Sequence, residues 1–140
     1  TGLAAGLVRG FDDRFFVPHS RHTGLNLKDL AAVPALRVLA SGRRTGPFLL
    51  STENGRQIFV TGHPEYDLFT LDAEYRRDLE KGLEISVPEN YYPSDDPAQR
   101  PINRWRSHAH LLYHNWLNYY VYQTTPYDLE ELSPLAGEPR

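Results

Sequence analysis

Ile58-Phe59-Val60-Thr61-Gly62-His63-Pro64-Glu65 reads as a short β-strand running into a turn that carries two titratable side chains. Each residue of that turn has a backbone consequence. Gly62 lets the chain leave the sheet sharply, because it has no Cβ to restrict φ. Pro64 disfavours the helical region for the residue before it and so holds His63 extended. In an extended segment side chains two apart point to the same side, so Glu65 can reach the imidazole of His63. A carboxylate on Nδ1–H would fix the tautomer, leave Nε2 free as a base and stabilise the imidazolium. The same spacing fits a plain surface hydrogen bond. A base and its orienting group also need a nucleophile, and the chain has no Cys and no Gly-x-Ser-x-Gly elbow.

Upstream of this turn, Arg37 to Ala40, Phe48 to Ser51 and Gln57 to Thr61 read as strands. The last two flank Thr52-Glu53-Asn54-Gly55-Arg56, where Asn-Gly predicts a hairpin because both residues tolerate positive φ. Downstream the period changes. Leu68, Leu71, Tyr75 and Leu79 share one helix face, with Thr70 placed to cap its start and Gly82 to end it. Pro88 to Pro101 holds four prolines around Tyr91, Tyr92, Asp95 and Asp96; it reads as an irregular loop, too long for a plain connection and therefore packed. A second helix is expected over about Asn103 to Tyr122, buried on the strength of Trp105, Leu112, Trp116, Tyr119 and Tyr120, with Pro126 beyond its end. Leu3 to Val17 mixes small and apolar residues around Gly10, the polar Pro18-His19-Ser20-Arg21 follows, and Ser133 to Arg140 is expected to fray. There is no internal repeat or long linker, so residues 1–140 read as part of a single domain.

Composition narrows the function classes. The 140 residues include 15 Lys+Arg and 18 Asp+Glu, a net charge of −3, which lacks the cationic field a nucleic-acid binder uses. Nine Tyr and 12% aromatic residues decide against disorder. The absence of Cys excludes a disulfide scaffold, a thiolate metal site and a cysteine nucleophile drawn from these residues, and fits a reducing compartment. No stretch approaches the roughly 18 apolar residues of a membrane span, so no membrane partner and a cytoplasmic location are expected. Met is also absent, and the opening Thr1-Gly2-Leu3-Ala4-Ala5-Gly6 suggests a processed product or a piece of something longer.

A larger set of motifs runs through the chain in order: Gly10-Phe11-Asp12-Asp13, Phe16-Val17-Pro18-His19-Ser20-Arg21, Val60-Thr61-Gly62-His63-Pro64-Glu65-Tyr66, Tyr91-Tyr92-Pro93, Trp105-Arg106-Ser107-His108 and Asn115-Trp116-Leu117-Asn118-Tyr119-Tyr120-Val121-Tyr122-Gln123-Thr124-Thr125-Pro126-Tyr127. From about Leu7 to Leu129 the chain resembles the C-terminal half of the homoserine O-succinyltransferase family, which includes similar homoserine O-acetyltransferases. The Asn115 to Gln123 run carries most of the specificity, since class I glutamine amidotransferases share the His-Pro-Glu element and the fold. The resemblance implies an α/β fold of the class I glutamine amidotransferase (flavodoxin-like) type, a sheet flanked by helices, to which this portion brings a β-hairpin and two main helices. It implies ping-pong transfer of a succinyl group from succinyl-CoA, through a cysteine acyl-enzyme, to the hydroxyl of L-homoserine in methionine biosynthesis. His63 then matches the general base, Glu65 its orienting residue, Arg77 the grip on the homoserine carboxylate, and Ser20 a substrate-binding serine. The acyl-CoA is a co-substrate, no cofactor or metal is implied, and the intact protein is expected to be a homodimer. The cysteine belongs to an N-terminal half that is not in this sequence, so the chain alone is expected to be inactive and to associate with a complementary half or chain.

Other constellations have plainer readings. His19 with His22, and His108, His110 and His114, invite a zinc hypothesis, but helical surface histidines explain the second group. Arg77, flanked by Glu74 and Asp78, could be a solvated helix-face charge. The aromatic run 116–122 suits a core face better than a stacking platform, and Arg104 and Arg106 could meet CoA phosphates. Acetyl-CoA as donor, a glutamine amidotransferase domain, and an inactive fragment serving as a binding module are the alternatives. If the sheet normally continues into further strands, an edge and an apolar face would be left uncovered.

Overall fold

Three antiparallel strands, β1 (Leu36–Gly42), β2 (Gly46–Thr52) and β3 (Ile58–Val60), lie in the order β1-β2-β3 in the computed structural model, which describes residues 3–21 and 23–124. Five consecutive residues of β2, Pro47 to Ser51, are buried, so the central strand is covered on both faces. The helices are α1 (Leu3–Leu7), α2 (Leu27–Leu30), α3 (Thr70–Glu80), α4 (Arg106–Trp116) and α5 (Tyr122–Thr124). The architecture is α/β, with the expected hairpin and two main helices. Pro126, Tyr127 and the 133–140 tail, like His22, lie outside the described residues.

The β2–β3 hairpin forms where Asn-Gly predicts it, by a different route. Ser51 pairs with Ile58, and the loop closes with Thr52 N–H donating to Gln57 O at 2.9 Å. Gly55 takes a positive φ of 71° and Asn54 does not; the Asn54 carboxamide oxygen instead accepts from Thr52 Oγ1 (2.8 Å) and Arg56 N–H (3.1 Å). A polar side chain here does the work of a second left-handed residue. At the outer edge, β3 exposes the successive residues Phe59 and Val60, and successive strand residues face opposite sides.

Helix α3 begins at Thr70, but Thr70 is not its cap. Phe69 holds the cap position without a side-chain bond, and the orphan N–H of Asp72 is met by the Tyr91 hydroxyl at 3.1 Å, which itself donates to Leu68 O. A phenol from the proline-rich loop thus caps a helix about twenty residues upstream. Gly82 ends α3 as expected. At φ 71°, its N–H donates to Leu79 O (2.9 Å) while that of Leu83 donates to Asp78 O (3.1 Å), the paired bonds that close a helix on a left-handed residue.

The proline-rich loop packs as its length suggests and contains one tight turn, Pro93–Asp95. Tyr91 and Tyr92 are buried with Leu71 and Trp105 in one apolar cluster, while Leu7, Phe48, Leu49, Leu112 and Tyr120 form another, which includes the central strand. Helix α4 starts later than expected. Asn103 Oδ1 accepts from Trp105 N–H (3.2 Å) and Arg106 N–H (3.1 Å), so Asn103 caps the first turn from outside it. Past Trp116 the helix widens into a π-helical turn, Leu117–Val121, where Tyr119 packs on Gly6 of α1. The expectation of a buried helix is corrected here. Trp105, Leu112 and Tyr120 are buried, but Trp116 is 43% and Tyr122 70% exposed, because α1 and the sheet cover only one side of α4.

Candidate functional site

The site is built where β3 runs out. Thr61 N–H still donates to Phe48 O (2.9 Å), and the chain then passes close beneath Val17-Pro18-His19. Gly62 bends the chain out of the strand as expected, and the passage adds a second reason for a glycine there. Its φ stays out of the left-handed region, and its lack of a Cβ matters for space: a Cβ would stand 2.9 Å from Val17 Cγ1, 3.0 Å from His19 Cε1 and 3.0 Å from Pro18 O. That carbonyl accepts the N–H of His63 at 2.8 Å, so the tight passage and the anchoring of His63 are one feature.

His63 Nδ1 lies 2.8 Å from Glu65 Oε1. An ionised carboxylate only accepts, so Nδ1 carries a proton, and in the neutral ring Nε2 holds the lone pair. Glu65 is more than half exposed, and the contact taken alone is a weak surface pair. The imidazole has a second restraint. It stacks on Tyr66, ring centroids 4.3 Å apart and planes 18° from parallel. The Tyr66 hydroxyl donates to Glu74 Oε1 at 2.8 Å and lies near Ser20, and burial, followed by Glu74, pushes its pKa up to about 12. Ser20, His63 and Glu65 are therefore gathered around Tyr66.

Helix α3 adds Glu74 and Arg77, three residues and about one turn apart. Arg77 is half exposed and donates through Nε to Asp78 Oδ1 at 2.8 Å; that bond, with smaller contributions from Glu74 and Tyr66, raises its pKa. Glu74 Oε2 is buried without a hydrogen-bond partner. Beneath the turn, His19 is driven down to a pKa of about 4 by burial, with Arg21 and His63 adding to it, so it is neutral at pH 7.

The remaining histidines do not converge. His108 stacks on Phe15 with Nε2 3.1 Å from Asp12, and His114 Nε2 lies 2.7 Å from Asn118 Nδ2. Among the described residues no group of three or more His, Asp or Glu side chains could hold a metal ion, and no helix is long and apolar enough to cross a membrane. Arg104 and Arg106 rim a shallow depression with Asn103, Ser107 and His110, and Arg104 also lies over the Phe16 ring. Sequence reasoning passed over Tyr66 and Glu74. The signals were present: Tyr66 follows Glu65 directly, and Glu74 sits on the same helix face as Arg77.

An imidazole hydrogen-bonded to a carboxylate at the end of a strand has the form of a base with its orienting group, an arrangement that can serve group transfer once a nucleophile is within reach. The chain belongs to the homoserine O-succinyltransferase family, whose sequence profile matches residues 3–127. Proteins named homoserine O-acetyltransferase are similar to it: that of Desulfitobacterium hafniense (strain DSM 10664 / DCB-2) is 60% identical over 126 residues, covering 90% of this chain and 41% of the other. That of Petrotoga mobilis is 56% identical over 126 residues with the same coverage, and that of Geobacillus kaustophilus 58% over 124 residues, covering 89% and 41%. The chain thus spans about two fifths of the length of these relatives.

Proposed function

We propose that the chain supplies the base and the acceptor-binding residues of a homoserine O-acyltransferase. The observation that supports this most directly is the 2.8 Å contact between His63 Nδ1 and Glu65, which leaves Nε2 basic. With no Cys in these residues, the thiol comes from outside them. In the first half-reaction His63 accepts the thiol proton, the sulfur attacks the thioester carbonyl of the acyl-CoA, and CoA leaves with the proton. In the second, Nε2 takes the proton of the homoserine hydroxyl, its oxygen attacks the enzyme thioester, and the protein thiol is restored. Glu65 stabilises the imidazolium formed in each half. Arg77 grips the acceptor carboxylate through parallel hydrogen bonds, giving up its bond to Asp78, and Ser20 binds the same substrate. The family's description supports succinyl-CoA as donor; the relatives' names support acetyl-CoA. Methionine biosynthesis, a cytoplasmic location and a homodimer complete the reading.

The test is CoA release from each donor with L-homoserine, by the isolated chain and by an assembly that contains the thiol-bearing segment. The isolated chain is expected to be inactive. In the assembly, His63→Ala should lower kcat by about 100-fold or more, and Arg77→Ala should raise the KM for homoserine with little change in KM for the donor. Robust CoA release by the isolated chain would overturn the reading, and the ratio of rates with the two donors decides between them.

A further inference from the structure

We propose that Tyr66 is a positioning residue: its ring fixes the plane of the His63 imidazole, and its hydroxyl ties that platform to Glu74 near Ser20. The assignment of His63 as base rests on the reading above; the placement of its ring by Tyr66 does not. One hydrogen bond to an exposed carboxylate leaves the imidazole free to swing about that bond or to turn over. A ring stacked at 4.3 Å stops the swing by holding the imidazole in one plane, where the Glu65 contact selects which way round it sits, and Tyr66 is fixed from several sides. Its N–H donates to His63 O (3.2 Å), its carbonyl accepts from Trp105 Nε1 (2.9 Å), and its hydroxyl donates to Glu74 (2.8 Å). Its ring packs against the cluster of Leu71, Tyr91, Tyr92 and Trp105. The hydroxyl also lies near Ser20, so the group that orients the base adjoins a residue read as binding the acceptor. Ring and hydroxyl are therefore separable: the ring sets how well Nε2 is aimed, and the hydroxyl sets how Glu74 is held and what Ser20 adjoins.

The experiment uses ¹⁵N-histidine-labelled chain, with the His63 ring signals assigned by their loss in His63→Ala. Wild type should show the Nδ1–H tautomer. Tyr66→Phe, which keeps the ring, should show the same tautomer, while Tyr66→Leu should show a mixture. In the active assembly Tyr66→Leu should lower kcat about 10-fold or more; Tyr66→Phe should keep kcat within about threefold and raise the KM for homoserine. A tautomer scrambled by Tyr66→Phe, or left intact by Tyr66→Leu with kcat within about twofold of wild type, would overturn the proposal. If Tyr66→Leu fails to fold, the Phe variant decides alone. Wild type without acyl transfer would sink the functional reading and leave the tautomer measurement to judge Tyr66 by itself.

Discussion

Replacing Gly62 with Ala would test the feature on which the turn is built. The added methyl would sit 2.9 Å from Val17 Cγ1 and 3.0 Å from both His19 Cε1 and Pro18 O, closer than carbon tolerates, and one of these obstacles is backbone that cannot rotate aside. Val17 has little room to yield, because it packs against the cluster around Phe48 and Leu112. Overpacking of this kind costs about 1–3 kcal/mol. Since Gly62 sits at a φ that alanine can adopt, the stiffer unfolded chain returns about 0.4–1 kcal/mol. The net expectation is a loss of about 1–2 kcal/mol, seen in urea unfolding as a lower midpoint at unchanged slope. The strain has a specific outlet. The Pro18 carbonyl must withdraw, and it accepts the His63 N–H at 2.8 Å, so hydrogen exchange at the His63 amide should accelerate more than at Phe59 or Val60. A variant as stable as wild type, or one whose His63 amide stays protected while stability falls, would refute this account of the glycine.

Two further outcomes follow from buried polar groups. His19 has its pKa lowered to about 4 from 6.5, so between those values the unfolded chain binds a proton that the folded chain refuses. Stability should fall as pH drops through that window and level off below it. Full enclosure would make this worth about 3 kcal/mol, and partial exposure trims it to about 2. Urea midpoints from pH 7 to 4 should fall less steeply for His19→Gln, and equal slopes would refute the assignment. Tyr92→Phe removes a hydroxyl that donates to Asp72 Oδ1 at 2.6 Å from a side chain only 1% exposed. Because the acceptor is a carboxylate, the expected loss is about 1.5–3 kcal/mol, and one under about 0.5 kcal/mol would show the bond to be incidental.

What the sequence disclosed follows from the range of the interactions involved. The three strands, the hairpin at Asn54-Gly55, the helix from Thr70 and its stop at Gly82 rest on contacts within a few residues, which periodicity and turn chemistry report. The His63–Glu65 contact was legible for the same reason, since both side chains lie on one extended segment. The misreadings and omissions are all longer in reach. Thr70 looked like a cap because no local pattern announces that Tyr91 will supply the acceptor from across a loop. Gly62 reads as a turn residue and bends the chain, but its second constraint, the backbone of Pro18, lies more than forty positions away and leaves no local sign. Trp116 and Tyr122 looked buried because aromatic density does not say which side of a helix finds a partner. Tyr66 went unassigned because its importance lies in joining Ser20, His63 and Glu74, segments that no single window contains.

The orientation of His63 is likewise complete within these residues, which hold no Cys. Every restraint named for the His63 side chain and its backbone N–H comes from Pro18, Glu65 and Tyr66, and Tyr66 is fixed by Glu74 and Trp105. None of these requires the thiol. Orientation of a base is a matter of hydrogen bonds and ring packing that the fold forms before any substrate arrives, whereas reactivity needs a group within reach of Nε2. The two can therefore reside in different stretches of sequence. The proposed base would thus be oriented by these residues alone, and a thiol from outside them would meet an imidazole already aimed, with no rearrangement of His63.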